Sequence, residues 1–513
     1  MPERLSALDA SFLYLEDAST VMHIGSVMVL EPPPEGFDVE DLARWVGARI
    51  AYIPRYRQRL RSVPGRLANP VWVDDERFDL DHHVRRTALP RPGSRDQLAE
   101  LVARVQPRRL DRTRPLWEVY LVEGLEGGGL AVITKTHQAM VDGVAAVDLG
   151  HVLWDDAPGS GAVPGTTWRP APEPTPVELV AGAVVDAVRR PPEVLEALRS
   201  GAAGLRASLH RAAGTASGLA RAATTATGPQ GSPLDVVVGE QRRFAAVDTD
   251  LDDYRAVRSA LEARPRRRAA PRPGGPAAEQ QGPGRRAEPP RLSTRTDLHD
   301  VVLGVLAGAL RGWMLARGLP VGPSTVVRTL VPVSVRSADG DAAGGTREPG
   351  EAPTGAVLPA TSVVGHLVDL PVGEPDPVVR LQQLSFAMRD GAGGRRVGAR
   401  QLAGLAGFAP PTLHSLGVRV AGSLSHRVFN LVVTNAPGPQ HPLYVGPVRL
   451  RAAYPVIPLA AGQGLAVGVT SYDGVVSYGL NADRDGVPDL DVLAACVTDA
   501  LAELVDATAS LGR

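Results

Sequence analysis

The chain has 513 residues, enough for two or three domains. Hydrophobic residues make up 44% and charged residues 22%, which excludes a wholly disordered or fibrous protein. A net charge of −1 leaves no global basic field for nucleic acid, and a single cysteine, Cys496, excludes an internal disulfide framework and a cysteine-rich zinc site. The first twenty residues carry acids and no apolar signal core, so the expected location is cytoplasmic. The longest uncharged stretches, 401–418 and 452–472, are broken by proline and polar residues and do not read as membrane spans.

The first 155 residues read as compact α+β. A strand is expected over 23–30, stopped by Pro32-Pro33-Pro34. Leu42, Trp45, Val46, Arg49 and Ile50 form a helical stripe with Asp38 as N-cap. Ser94 and Gln97 form a capping-box pattern ahead of Leu98, Leu101, Val102 and Val105. Strands over 117–122 and 130–137 flank the turn Glu126-Gly127-Gly128-Gly129, and a helix is expected after Asp142-Gly143.

Residues 156–176 are rich in proline, glycine and threonine and read as a linker. Residues 177–225 are alanine-rich and helix-prone: a solvated connecting helix, or one lying on a membrane surface. The expected division is 1–155, 156–240 and 241–513. Within the last part, 264–291 holds eight arginines and seven prolines and reads as a disordered insertion. Residues 337–361 read as a second loop.

The second α+β part runs through a helix over 301–315, strands over 326–335 and 363–372, and a helix over 377–388. Asn435-Ala436-Pro437-Gly438-Pro439 reads as a turn, Asp473-Gly474 as a hairpin, and 489–505 as a terminal helix. Two α+β halves joined by a long linker point to a site between them. His82-His83 would point apart on a strand, and no cysteine or carboxylate cluster completes a metal site there.

The string with most chemical content is Thr134-Lys135-Thr136-His137-Gln138-Ala139-Met140-Val141-Asp142-Gly143. It lies where a strand ends and a helix can begin, so its side chains sit rigidly at a cleft mouth. A histidine there is a candidate general base. Asp142 can hold the loop through an arginine or backbone donors, and Gly143 permits a tight turn.

Here the sequence resembles the bacterial wax ester synthase/diacylglycerol acyltransferase family. The resemblance runs from Leu5-Ser6-Ala7-Leu8-Asp9-Ala10-Ser11-Phe12 and Met22-His23-Ile24-Gly25 through Pro115-Leu116-Trp117-Glu118 and the string above. It continues with His299-Asp300-Val301, Val331-Pro332-Val333-Ser334-Val335-Arg336, Asn435-Ala436-Pro437-Gly438-Pro439 and Ser471-Tyr472-Asp473-Gly474.

The resemblance implies an α+β fold: two chloramphenicol-acetyltransferase-like subdomains joined by a helical linker. It implies transfer of a long acyl chain from acyl-CoA, a substrate, to diacylglycerol or a fatty alcohol. No cofactor, metal or covalent enzyme intermediate is expected. A peripheral membrane or lipid-body location follows from the same resemblance.

In the family's His-His-x-x-x-Asp-Gly signature the second histidine is taken as the base. His137, Asp142 and Gly143 match; Gln138 stands at the second histidine. A glutamine amide does not titrate near neutral pH, though it can position a hydroxyl or polarise a carbonyl. The expected catalytic set is therefore His137, Gln138 and Asp142, and the alternative is a weak or inactive acyl-lipid-binding relative. Pro115, Leu116 and Trp117 would line the acyl tunnel. Asn435 would lie on a segment crossing the cleft. Arg336 is a candidate partner for Asp142, with Arg112 and Arg114 competing. His299 stands where the family often has asparagine.

Overall fold

A computed structural model describes residues 2–35, 37–50, 53–141, 153–159, 168–189, 232–262, 297–336, 361–389, 396–398 and 429–510. In chain order the helices are α1 (Ala7–Leu15), α2 (Val39–Ile50), α3 (Leu80–His83), α4 (Arg95–Val105), α5 (Gln138–Val141), α6 (Pro176–Arg189), α7 (Leu251–Glu262), α8 (Leu298–Ala316), α9 (Pro377–Arg389) and α10 (Leu490–Ser510). The strands are β1 (His23–Leu30), β2 (Gln58–Arg61), β3 (Val71–Asp74), β4 (Val84–Ala88), β5 (Trp117–Glu123), β6 (Leu130–His137), β7 (Arg242–Asp250), β8 (Val327–Arg336), β9 (Thr361–Leu370), β10 (Arg396–Gly398), β11 (Leu431–Pro437), β12 (Tyr444–Val445), β13 (Val448–Val456), β14 (Leu465–Tyr472) and β15 (Val475–Asp483).

Local signals explain most of these elements. Asp38 accepts the Glu40 and Asp41 N–H groups, which starts α2. The Ser94–Gln97 capping box forms at α4. Asp473 and Gly474 take φ of 45° and 84°, the left-handed pair that closes the β14–β15 hairpin. Helix α8 begins at Leu298, three residues before the expected start, because Asp297 caps it and Asp300 reaches back to the Asp297 N–H. It is long and apolar enough to cross a membrane, yet most of it is buried between α9, α10 and the second sheet.

Two large sheets and a two-stranded ribbon, β2-β3, organise the described residues. The first has the order β12-β13-β1-β6-β5-β4 and the second β10-β9-β8-β11-β14-β15-β7. The expected boundary at residue 155 does not close the first sheet: β12 and β13, from the far end of the chain, complete its edge. β13 pairs antiparallel with β1, placing Val456 opposite Gly25.

β13 also touches the second sheet. Gly468 and Gly479 face each other across the β14–β15 ladder. A Cβ on Gly479 would lie 1.9 Å from Pro455 O, and one on Gly468 2.6 Å from Pro455 Cβ. Only paired glycines let the two backbones approach this closely. A polar clamp stands beside the contact. Tyr454 Oη donates to Asp248 Oδ2 at 2.8 Å, Ser477 Oγ donates to Asp248 Oδ1 at 3.0 Å, and Arg95 of α4 joins both Asp248 and Tyr454.

Two expectations need correction. Residues 435–437 are not a turn but the end of β11, because parallel pairing with β14 sets Asn435 opposite Val469 and Pro437 opposite Ser471. His82 and His83 lie on the short helix α3, capped by Asp79, rather than on a strand. A short helix spans Gln138–Val141, and the helix expected after Asp142-Gly143 lies outside the described residues up to 152. The insertion 264–291, the loop 337–360, Asp142, Gly143 and residues 190–231 lie outside the described residues.

The glycine contact gives a test. Gly479→Ala should destabilise the protein by about 1–3 kcal/mol or more through overpacking against Pro455, read as a lower urea midpoint. Ala482→Gly, in the same strand but away from Pro455, should cost less.

Candidate active site

β6 is buried along its whole length. Its end is pinned on both sides: the His137 N–H donates to Leu116 O at 3.0 Å, and the Gln138 N–H donates to Met22 O at 2.9 Å. Gln138 is half-buried and opens α5. The string singled out in the sequence therefore does sit where a strand passes into a helix.

The β1–β6 register sets His137 directly opposite His23. Paired residues share a face of the sheet, and the two rings meet edge to face at 5.8 Å. Glu16, at the C-terminal end of α1, reaches both. Its Oε1 lies 3.1 Å from His23 Nε2 and its Oε2 lies 3.8 Å from His137 Nε2. Arg112 Nε donates to Glu16 Oε2 at 3.1 Å, and Arg109 stands 3.7 Å away. Burial alone would raise the Glu16 carboxyl. The imidazoles and the Arg112 guanidinium outweigh it and hold the acid down at about 2.

His137 is held differently from the expectation of a catalytic base. The Ala139 N–H donates to His137 Nδ1 at 3.0 Å. Nδ1 is thus an acceptor, so the neutral ring carries its hydrogen on Nε2, facing Glu16. No lone pair is left for a substrate. Burial, helped by His23 and Arg112, pushes its pKa down to about 3. The geometry makes His137 an anchor of the strand end.

Two residues earlier on the same strand is Lys135, the only lysine in the sequence. It is fully buried; its Nζ donates to Val105 O at 3.3 Å and to Arg108 O, and lies 3.7 Å from Glu118 Oε2. Burial lowers it to about 8. Glu118 also binds Arg85 at 2.9 Å and accepts from Tyr120 Oη at 2.9 Å.

Pro115, Leu116 and Trp117 enter β5 inside the first core, and Leu116 and Trp117 have no exposed surface. Trp117 Nε1 donates to Tyr56 O at 2.7 Å, and its ring stacks on His83 at 4.5 Å. His83 Nδ1 donates in turn to Trp117 O at 2.8 Å. The segment's direct tie to the site is the Leu116 carbonyl on the His137 N–H.

The second half contributes another pair. Asn435 Nδ2 lies 2.9 Å from Nδ1 of His299, in the first turn of α8. Asp300 beside it is anchored by a 2.9 Å bond from Ser385 Oγ. Of the arginines weighed as partners for Asp142, Arg112 is taken by Glu16 and Arg114 lies 3.9 Å from Asp111. Arg336 ends β8, and its side chain lies outside the described residues. Sequence reasoning missed the role of Glu16. The only signal was the acid pair Glu16-Asp17 after an apolar helix, which reads as ordinary surface.

The first condensation domain of the CDA synthetase superposes over 99% of this chain and 97% of its own, with TM-score 0.50 and 14% identity. That likeness shows the fold: two chloramphenicol-acetyltransferase-like subdomains in one chain. The wax ester synthase/diacylglycerol acyltransferase of Marinobacter aquaeolei VT8 superposes over 98% of this chain and 99% of its own, with TM-score 0.62 and 25% identity. Residues 5–264 match the wax ester synthase/diacylglycerol acyltransferase catalytic domain, and residues 362–505 match the family's C-terminal domain. A Mycobacterium tuberculosis protein named probable diacylglycerol O-acyltransferase tgs1 is 32% identical over 507 residues, 98% of this chain and 95% of that one. Another from the same organism, named tgs3, is 45% identical over 261 residues, half of this chain and 96% of that one. The chain belongs to the wax ester synthase/diacylglycerol acyltransferase family.

The buried charges set the pH response. His137 and His83 are lowered by burial to about 3 and about 4, against their ordinary 6.5. The unfolded chain therefore binds more protons below pH 6.5, so stability present above 6.5 is lost as pH falls towards the folded values. At pH 5, His137 alone accounts for about 2 kcal/mol of loss. Glu16 adds a loss of the same sign lower down, as pH falls from about 4.5 towards 2. Urea midpoints should fall from pH 7.5 to 5.0, and His137→Gln should flatten that fall. Glu16→Gln should cost about 1–3 kcal/mol at pH 7.5: the charge-assisted bond from Arg112 is lost, but that guanidinium is more than a third exposed and stays partly solvated. An unchanged midpoint would contradict the charge cluster.

Proposed function

We propose that this protein is an acyl-CoA-dependent O-acyltransferase that moves a long acyl chain to diacylglycerol or a fatty alcohol. The carrying observation is the match of residues 5–264 to the family's catalytic domain, with the His137–Gln138 strand end inside it. The second supporting fact is the 32% identity to a named diacylglycerol O-acyltransferase along nearly the whole of both chains.

The chemistry asked of the chain is modest. The acceptor hydroxyl must be brought against the thioester carbonyl, and its proton must be removed. Gln138, at the head of α5 and pinned through its own backbone, orients the hydroxyl by its side-chain amide. Orientation of this kind converts a bimolecular step into an effectively unimolecular one. His137 keeps that backbone in place through Glu16. Pro115, Leu116 and Trp117 back the wall along which the acyl chain lies. The reaction uses no bound cofactor.

The protein works in the cytoplasm at a membrane or lipid-body surface. Val177 and Val184 on α6 are 77% and 56% exposed, which supports contact with an apolar surface.

Labelled palmitoyl-CoA with diacylglycerol, and separately with hexadecanol, tests the reading on the full-length protein. Labelled triacylglycerol or wax ester should form, with release of one thiol per ester. Gln138→Ala should lower kcat while acyl-CoA binding persists. No ester with either acceptor would overturn the proposal.

A further inference from the structure

Strands β8, β11 and β14 run parallel, so their carboxyl ends meet at one edge of the second sheet. Helix α8 runs back against β8. Near its C-terminal end Arg311 donates to the Val372 and Gly373 carbonyls, just past Leu370, the partner of Val327 at the start of β8. The first turn of α8 therefore lies at the carboxyl-end edge. Crevices outside the carboxyl ends of parallel strands are where open sheets with helices bind ligands.

His299 stands at that edge with Asn435 on its Nδ1. Its Nε2 is enclosed and has no hydrogen-bond partner among the described residues. A side-chain amide can be turned to present either atom. With Asn435 Oδ1 accepting from Nδ1–H, the lone pair of His299 lies on Nε2. An imidazole held by an asparagine, with the other nitrogen free, is the base arrangement of Cys-His-Asn sites.

The contrast with His137 is chemical. There too Nε2 has no hydrogen-bond partner among the described residues, but Nδ1 accepts from the Ala139 N–H, a backbone donor that cannot be turned, so Nε2 carries the hydrogen. Gln138 does not titrate. Tyr472, ending β14, packs in the same core as Ala139 and Met140 of α5. Asp155 pairs with Tyr444, on the segment that leaves β11.

We propose that His299 is the proton-accepting residue of this protein and that Asn435 is its positioning residue, an inference that rests on the acyl-transfer reading above. Nε2 takes the proton of the acceptor hydroxyl as its oxygen bonds to the thioester carbonyl carbon. When the tetrahedral adduct collapses, the C–S bond breaks and the proton on Nε2 passes to the departing sulfur. The products are an ester, a thiol and a neutral imidazole. The charged groups facing His299 are Asp297 and Asp300 on its own helix and His366 from β9. Burial and His366 outweigh the two acids and lower its pKa, so the ring is neutral at pH 7.

The test is turnover of labelled palmitoyl-CoA with diacylglycerol and with hexadecanol from pH 5 to 9. Wild type, His299→Gln, His299→Asn and Asn435→Ala are compared as full-length chains, with urea midpoints. The glutamine and asparagine variants should lose kcat by about 10²–10⁴-fold, keep KM for acyl-CoA, and lose the acid limb of the kcat profile. Asn435→Ala should keep an acid limb but shift it, with a smaller loss of kcat. Should His299→Gln fail to fold, His299→Asn and the shifted limb of Asn435→Ala carry the same test. Wild-type kcat in either His299 variant, or a lowered kcat with an unchanged acid limb, would overturn the assignment and leave the acyl transfer standing. No ester from wild type would overturn the acyl-transfer reading, and this one with it.

Discussion

Pro455 lies in a notch made by two glycines that face each other across β14 and β15. Through it, a strand from the last quarter of the chain is hydrogen-bonded into the first sheet and packed on the second. The two halves are thus tied by backbone as well as by side chains. Any Cβ at Gly479 would fall inside the Pro455 carbonyl, so separation of the sheets or strain must follow. The Asp248 clamp works at the rim of this contact. Arg95 is largely exposed there, so its ion pair contributes little and the geometry of the notch dominates.

Once the halves are held, the strand end of β6 is decided by electrostatics. A buried carboxylate costs several kcal/mol unless it is paired. Glu16 stays charged because Arg112 and two imidazoles converge on it. At a separation of 4 Å and an effective dielectric near 20, one such charge pair is worth about 4 kcal/mol. The same cluster faces His137 Nε2, with Glu16 Oε2 3.8 Å away, beyond hydrogen-bond reach. Lys135 and Glu118 continue the buried charge along the strand. A strand with this many paired charges is stiff, and a stiff strand end places the Gln138 backbone without rotation.

The proposed reaction divides labour between the halves rather than giving it to adjacent residues of one motif. The first half would supply the orienting amide of Gln138 on a pinned strand end. The second would supply the His299 imidazole at the carboxyl ends of parallel strands, with Asn435 of β11 on its Nδ1.

Capping residues, turn pairs and apolar spacing are local, so the helix starts at Asp38 and Ser94 and the Asp473-Gly474 hairpin were legible in the sequence alone. So was the family, because its strings occur in order along nearly the whole chain. Three things were not. The pairing of β13 into the first sheet, across the expected boundary at 155, is long-range and leaves no local mark. Asn435 read as a turn because its Ala-Pro-Gly surroundings suggest one, while neighbours on the second sheet hold it in a strand. His137 read as a candidate base because its residue type permits it. Its tautomer was set by Ala139 beside it and by Glu16, more than a hundred residues away, and only the folded chain brings that acid to the ring.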